Sequence, residues 1–134
     1  MRKFLGSTIT IMVLFTLLIG CESMPEPVTV GIEQSGQSVS LQVGQTMIVR
    51  LESNPTTGYT WEVKQVDPAV LAQQGEAEYE TLETQTTPMV GQGGWQVFRF
   101  EAISTGQTTL EMVYRRPWED APPESSFTLQ VMVN

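Results

Sequence analysis

Apolar residues recur at every second position in one short run after another. The runs are Val28, Val30 and Ile32; Val39, Leu41 and Val43; Met47, Val49 and Leu51; Tyr59, Trp61 and Val63; Phe98, Phe100 and Ala102; Leu110, Met112 and Tyr114; and Phe127, Leu129, Val131 and Val133. A weaker run lies around Tyr79 or Leu82. A period of two puts alternate side chains on opposite faces of an extended chain, so each run has one face for a core and one for water. Gly, Pro, Ser or Asn bounds each run, and beyond the first 21 residues no useful length of helical period appears, although "DPAVLAQQG" could make a single turn. The pattern predicts an all-β fold: an immunoglobulin-like antiparallel β-sandwich of about seven strands, without the Cys and Trp signature of antibody domains.

The amino terminus has a different character. Arg2 and Lys3 precede an apolar stretch from Ile9 to Ile19 that ends at Gly20 and Cys21. This reads as a secretory signal, too short for a comfortable membrane span. Leu18-Ile19-Gly20-Cys21 resembles a bacterial lipobox, cut before a cysteine that then carries lipid. The plainer reading is an ordinary signal cut nearby, leaving a stray thiol. The expected organisation is therefore a lipoprotein signal over 1–20, a lipidated end and tether over 21–27, and one domain over 28–134. Such a protein would sit on a membrane of the bacterial cell envelope, held through Cys21.

Removing the first 20 of 134 residues leaves 114, with five basic against fifteen acidic side chains and a net charge of −10. That surface repels phosphate backbones, which argues against nucleic acid as a partner. Glu76, Glu78, Glu80 and Glu83 could suggest calcium, but a near period-two row without a glycine-bearing loop fits a solvated strand face better. The chain has no histidine and one cysteine, so neither a Ser-His nor a Cys-His nucleophile can be built, and zinc or iron would lack its usual ligands. Carboxylate-only chemistry has no distinguished pair to run on. These residues describe a monomeric binder with no cofactor, no metal and no catalytic residue.

If a first strand and those near 46–53, 59–66, 77–83, 95–103, 108–115 and 126–133 alternate in direction, three connections emerge at one end of the sandwich and three at the other. One end has the plain turns "VGQT", "VDPAVLAQQG" and "STGQT". The other has Asn54-Pro55-Thr56-Thr57-Gly58 before Tyr59, then "TQTTPMVGQGGW" with Gly91, Gly93 and Gly94, then "YRRPWEDAPPESS" with Arg116, Pro117 and Trp118. Proline and glycine suit a turn, but nothing in the turn itself calls for two threonines. A tryptophan between proline and a polar loop suits an interface better than a core.

N-P-T-T-G-Y, G-Q-G-G before an aromatic-rich strand, and R-P-W, in that order and spacing, resemble the chagasin family of inhibitors of papain-family cysteine peptidases, over roughly residues 38 to 134. Each motif alone is weak; three at one end of a sandwich are specific. The resemblance implies a reversible, non-covalent wedge of three loops that fills a peptidase cleft, with Thr56 and Thr57 beside the enzyme's cysteine and histidine. It implies backbone contacts from Gly91, Gly93 and Gly94 and side-chain contacts from Arg116 and Trp118.

Each assignment has a plainer rival. Pro55 and Gly58 would serve any turn, and the second-loop glycines could exist only to enter a strand through positive φ. Arg115 reads as an outward strand residue paired with nearby acid, and Trp61 and Tyr114 as core. The rival function is a lipid-anchored immunoglobulin-like binding or envelope assembly module without peptidase inhibition.

Overall fold

The structure, a computed structural model, describes residues 20–81 and 93–134. Among the described residues nine strands form: β1 Val28–Val30, β2 Ser38–Leu41, β3 Thr46–Ser53, β4 Thr60–Gln65, β5 Leu71–Gln73, β6 Glu78–Thr81, β7 Gly94–Ala102, β8 Gly106–Arg115 and β9 Ser125–Val133. They make two sheets packed as an immunoglobulin-like sandwich. One has the order β1-β3-β7-β5, with β6 also against β7; the other has the order β2-β9-β8-β4.

The strand count exceeds the expected seven for two local reasons. After β1 the chain passes Gly31 into a 3-10 turn, Ile32–Gln34, where the Gln34 side chain accepts from the Gly31 N–H at 2.7 Å. The run begun at Val28 therefore stops, Ile32 is left 48% exposed, and the chain crosses to the other sheet. There β2 lies parallel to β9, as β1 lies parallel to β3, so both edges carry a parallel pair in an otherwise antiparallel fold. The second reason is "DPAVLAQQG", which is part turn and part strand. Asp67 accepts from the Ala69 N–H through Oδ1 at 3.0 Å and from the Leu71 N–H through its carbonyl at 2.9 Å. Leu71 then pairs with Ala102 and is fully buried.

The inward positions of the runs meet between the sheets. Met47, Val49 and Leu51 of β3 and Phe98, Phe100 and Ala102 of β7 join Leu110 and Met112 of β8 and Phe127, Leu129, Val131 and Val133 of β9 in one cluster. Phe100 and Phe127 are fully buried, and truncating either to alanine would cost about 3 to 5 kcal/mol. Trp61 belongs to this cluster and Tyr114 packs against it.

Register then sets which chain ends meet. Ser53 pairs with Gly94 and Thr60 with Arg115, so the ends of β3 and β8 and the starts of β4 and β7 share one pole. At the opposite pole the Gly44 N–H donates to the Ala102 carbonyl at 2.7 Å, and Cys21 to Pro25 lie beside Gln42, Val43 and Gly44.

Candidate functional site

The turn between β3 and β4 is built by its own side chains. Asn54 is extended and caps a single 3-10 turn, Pro55–Thr57. Its Oδ1 accepts from the Thr56 N–H at 3.2 Å and from Thr56 Oγ1 at 2.7 Å. Thr57 Oγ1 donates to the Asn54 carbonyl at 2.7 Å, and the Gly58 N–H donates to the Pro55 carbonyl at 3.1 Å. Gly58 closes the turn at φ +81°, where a side chain is strained. The threonines therefore have a local role that the sequence did not suggest: their hydroxyls hold the turn. A hydroxyl that donates once still has oxygen lone pairs to accept with, so both also present acceptors on an exposed loop.

The loop between β8 and β9 docks on that turn. The Glu119 N–H donates to the Arg116 carbonyl at 3.1 Å, closing a tight turn with Pro117 and Trp118 at its apex. Arg116 Nε donates to the Thr57 carbonyl at 2.9 Å, its Nη1 bonds Glu119 Oε1 at 3.1 Å, and the guanidinium lies 4.5 Å over the Tyr59 ring. Tyr59 stacks on Tyr114 at 5.3 Å, and Tyr114 lies 5.1 Å from Trp61. This line of rings runs from the surface into the core. Trp118 is 70% exposed, yet the edge of its indole packs on Gly58 so closely that a Cβ there would collide with Cη2. The Tyr59 phenol is held above its ordinary pKa, first by its hydrogen bond to Glu124, then by burial and the Glu124 charge, against an opposing pull from Arg116.

Gly93 and Gly94 lie at the entry to β7 beside the first turn, and Gly91 lies outside the described residues. Neither Gly93 nor Gly94 has positive φ, contrary to the strand-entry expectation. Gly94 is a glycine because the Glu80 carbonyl of β6 crosses where a Cβ would stand, whereas a Cβ on Gly93 would meet only the Ser53 carbonyl at 3.8 Å. Glu52, Ser53, Asn54, Gly93, Gly94, Trp95 and Tyr114 line a cleft of about 430 Å³ here.

Several contacts that shape this pole were not anticipated from the sequence. Gln96 occupies an inward position of β7; its Oε1 accepts from the Trp61 N–H at 2.9 Å and its Nε2 donates to the Trp61 carbonyl at 3.3 Å, tying the two sheets. Trp61 Nε1 donates across the sandwich to the Glu52 carbonyl at 2.9 Å. The Tyr114 hydroxyl accepts from the Asn54 N–H at 3.0 Å. A glutamine at an inward position of an alternating strand is the one signal that was legible, since a buried amide needs partners. Arg115, read as pairing with acid, instead donates to loop carbonyls.

Among the described residues no group of His, Cys, Asp and Glu could hold a metal. The two-sheet scaffold thus presents a pinned turn and an exposed indole side by side at one pole. Residues 40–131 match the family described as Chagasin family peptidase inhibitor I42, and the chain belongs to that family: it is a chagasin-family cysteine protease inhibitor and not an enzyme. It is 28% identical over 101 residues to Amoebiasin-1 of Entamoeba histolytica, across 75% of this chain and 94% of that protein. The crystal structure of the cysteine protease inhibitor EhICP2 from Entamoeba histolytica matches its fold with a TM-score of 0.69 at 17% identity, over 81% of this chain and 96% of that one. PbICP-C, solved in complex with falcipain-2, matches with a TM-score of 0.57 at 15% identity, over 81% and 89%.

Proposed function

We propose that this chain inhibits papain-family cysteine peptidases reversibly and without a covalent bond, occluding the active-site cleft with the loop Asn54–Gly58, the segment bearing Gly91, Gly93 and Gly94, and the loop carrying Arg116, Pro117 and Trp118. The observation that carries this reading is the docking of Trp118 on Gly58 and of Arg116 on Thr57 and Tyr59, which makes one exposed wedge from two loops before any partner arrives. A preformed wedge loses little entropy on binding. PbICP-C, of the same fold, was solved in complex with falcipain-2.

Thr56 and Thr57 sit at the tip, offering hydroxyl acceptors and no carboxylate to be repelled by a thiolate. Cleavage requires a peptide laid against the nucleophile in an attack geometry, and a 3-10 turn held by five hydrogen bonds at Asn54 and Pro55 resists being pulled into it. With the only cysteine at position 21, no thiol is available at the wedge for a covalent link. Titration of residues 22–134 against papain tests the proposal, with the inhibitor recovered after denaturation and weighed by mass spectrometry. Inhibition with intact inhibitor is expected. No inhibition, a permanent adduct, or complete cleavage within Asn54–Gly58 on the inhibition timescale would overturn it, and the first of these would favour a binding or assembly module.

We propose further that Cys21 carries lipid and holds the domain on the bacterial envelope. Cys21 is exposed, and it lies beside the Gln42–Gly44 turn at the pole opposite the loops. Strand β7 runs between the poles with nine residues, which at about 3.3 Å each separates them by about 30 Å. An anchor at Cys21 would thus leave the wedge facing away from the bilayer. Changing Cys21 to Ser should abolish fatty-acid labelling and detergent partitioning while the domain stays folded; equal partitioning of both forms would refute the anchor.

A further inference from the structure

Arg115 is the last residue of β8, on the outer face of its sheet with Val113. Among the described residues it makes no ion pair. Its Nη2 donates instead to the Glu119 carbonyl at 3.1 Å and, more weakly at 3.4 Å, to the Pro117 carbonyl. Those two carbonyls flank Trp118. The loop folds back so that Ala121 and Pro123 lie beside Val113 and Arg115, and Val113 is buried although it is outside the central core cluster. On this half-buried side chain Nε is shielded from water and has no hydrogen-bond partner among the described residues. Arg116, the next residue, reaches the other way to Thr57 and Tyr59. Two successive arginines therefore hold one turn from opposite sides.

We infer that Arg115 is a positioning residue for the inhibitory surface: it touches no part of the partner and acts by fixing the carbonyls on either side of Trp118, so that the indole is already aimed when a peptidase arrives. This rests on the proposed inhibitory function. Bonds from a charged donor are stronger than those between neutral groups, and an arginine can serve two acceptors from one planar head. Without these bonds the turn is closed by the Glu119 N–H and the Arg116–Glu119 ion pair, neither of which holds the two carbonyls beside the largest exposed side chain of the loop. A contact residue and a positioning residue differ in kinetics. Losing a contact shortens the life of the complex, whereas losing pre-organisation lowers the fraction of molecules ready to bind and so slows association.

The test compares Arg115→Met, which keeps an unbranched apolar stem, and Arg115→Lys with Trp118→Ala. Association and dissociation with papain are measured separately, and backbone amide relaxation at Trp118 and Glu119 is measured in the free protein. For Arg115→Met, association should slow about five- to tenfold with dissociation unchanged within about twofold, and the amide order parameters should fall. Arg115→Lys, with a donor but no fork, should lie between it and the parent. Trp118→Ala should instead speed dissociation. Faster dissociation for Arg115→Met would make Arg115 a contact and overturn the inference, as would unchanged association with unchanged amide order. Should Arg115→Met fail to fold, Arg115→Lys and Arg115→Gln carry the same readings. If the parent itself does not inhibit papain, the inhibitory function falls, while the relaxation measurement still decides whether Arg115 orders the turn.

Discussion

Replacing Gly58 by alanine perturbs two things that can be separated by a second glycine. Gly58 has φ +81° and Gly75 has φ +70°, so alanine at either position carries a left-handed backbone strain of about 1 to 2 kcal/mol. A Cβ at Gly75 would meet nothing within 4 Å, but at Gly58 it would collide with the far edge of the Trp118 indole. That indole is 70% exposed and can swing away, so the collision should add little to the stability cost. Both variants should therefore melt lower by a similar amount, at about 4 to 8 °C per kcal/mol for a domain near this size. Their inhibition should differ. Gly75→Ala should inhibit like the parent. Gly58→Ala, with Trp118 displaced, should lose up to the full value of an aromatic anchor, about 2 to 4 kcal/mol, or about 30-fold to 1,000-fold in affinity. Trp118→Ala and the double variant complete a cycle: if Gly58 acts by seating the indole, the double variant should be little weaker than Trp118→Ala alone. Thermal unfolding and papain titration of the five proteins, parent included, supply every number. Inhibition by Gly58→Ala equal to that by Gly75→Ala, or losses that multiply in the double variant, would refute the coupling of the two loops through this contact.

Thr57→Ala removes the bond to the Asn54 carbonyl inside the turn, so it should lower stability by about 0.5 to 1.5 kcal/mol as well as weaken inhibition; a binding loss with unchanged melting would show that the hydroxyl serves only the partner. The Tyr59 phenol should titrate above 10 in an ultraviolet difference titration against Tyr59→Phe, and Glu124→Gln should bring it down. Because the folded chain keeps that proton longer than the unfolded chain, the associated stability is complete below pH 10 and is lost as pH rises through the raised value. With no histidine in the chain, an inflection in inhibition between about pH 6 and 7 should follow the peptidase and stay put across all inhibitor variants.

Direction parity placed the candidate loops at one pole without any knowledge of the sheets, and it survived the two extra strands for a geometric reason. β5 and β6 both run antiparallel to β7, so they behave as one interrupted strand and do not change which end the later loops reach. β1 and β2 are separated by a turn that returns the chain to the pole from which β3 starts. Short runs such as Leu71–Gln73 escaped because three residues carry too little alternation to be distinguished from a turn, and Asp67 does begin that segment as a turn.

The sequence by itself determined the sandwich and the identity of the loops, since alternation decides which faces are buried and glycine and proline decide where the chain turns. It also determined what the protein lacks for catalysis, because histidine is absent from its composition. Only the tertiary structure decided which loop residues hold and which present. Arg116 reaches Thr57 across 59 positions, Asn54 meets Tyr114 across 60, and Gln96 ties Trp61 across 35. Such partners are chosen by register and packing, not by neighbours along the chain. The neighbouring arginines of one short motif thus take opposite directions, Arg116 toward the Thr57 turn and Arg115 toward the carbonyls beside Trp118.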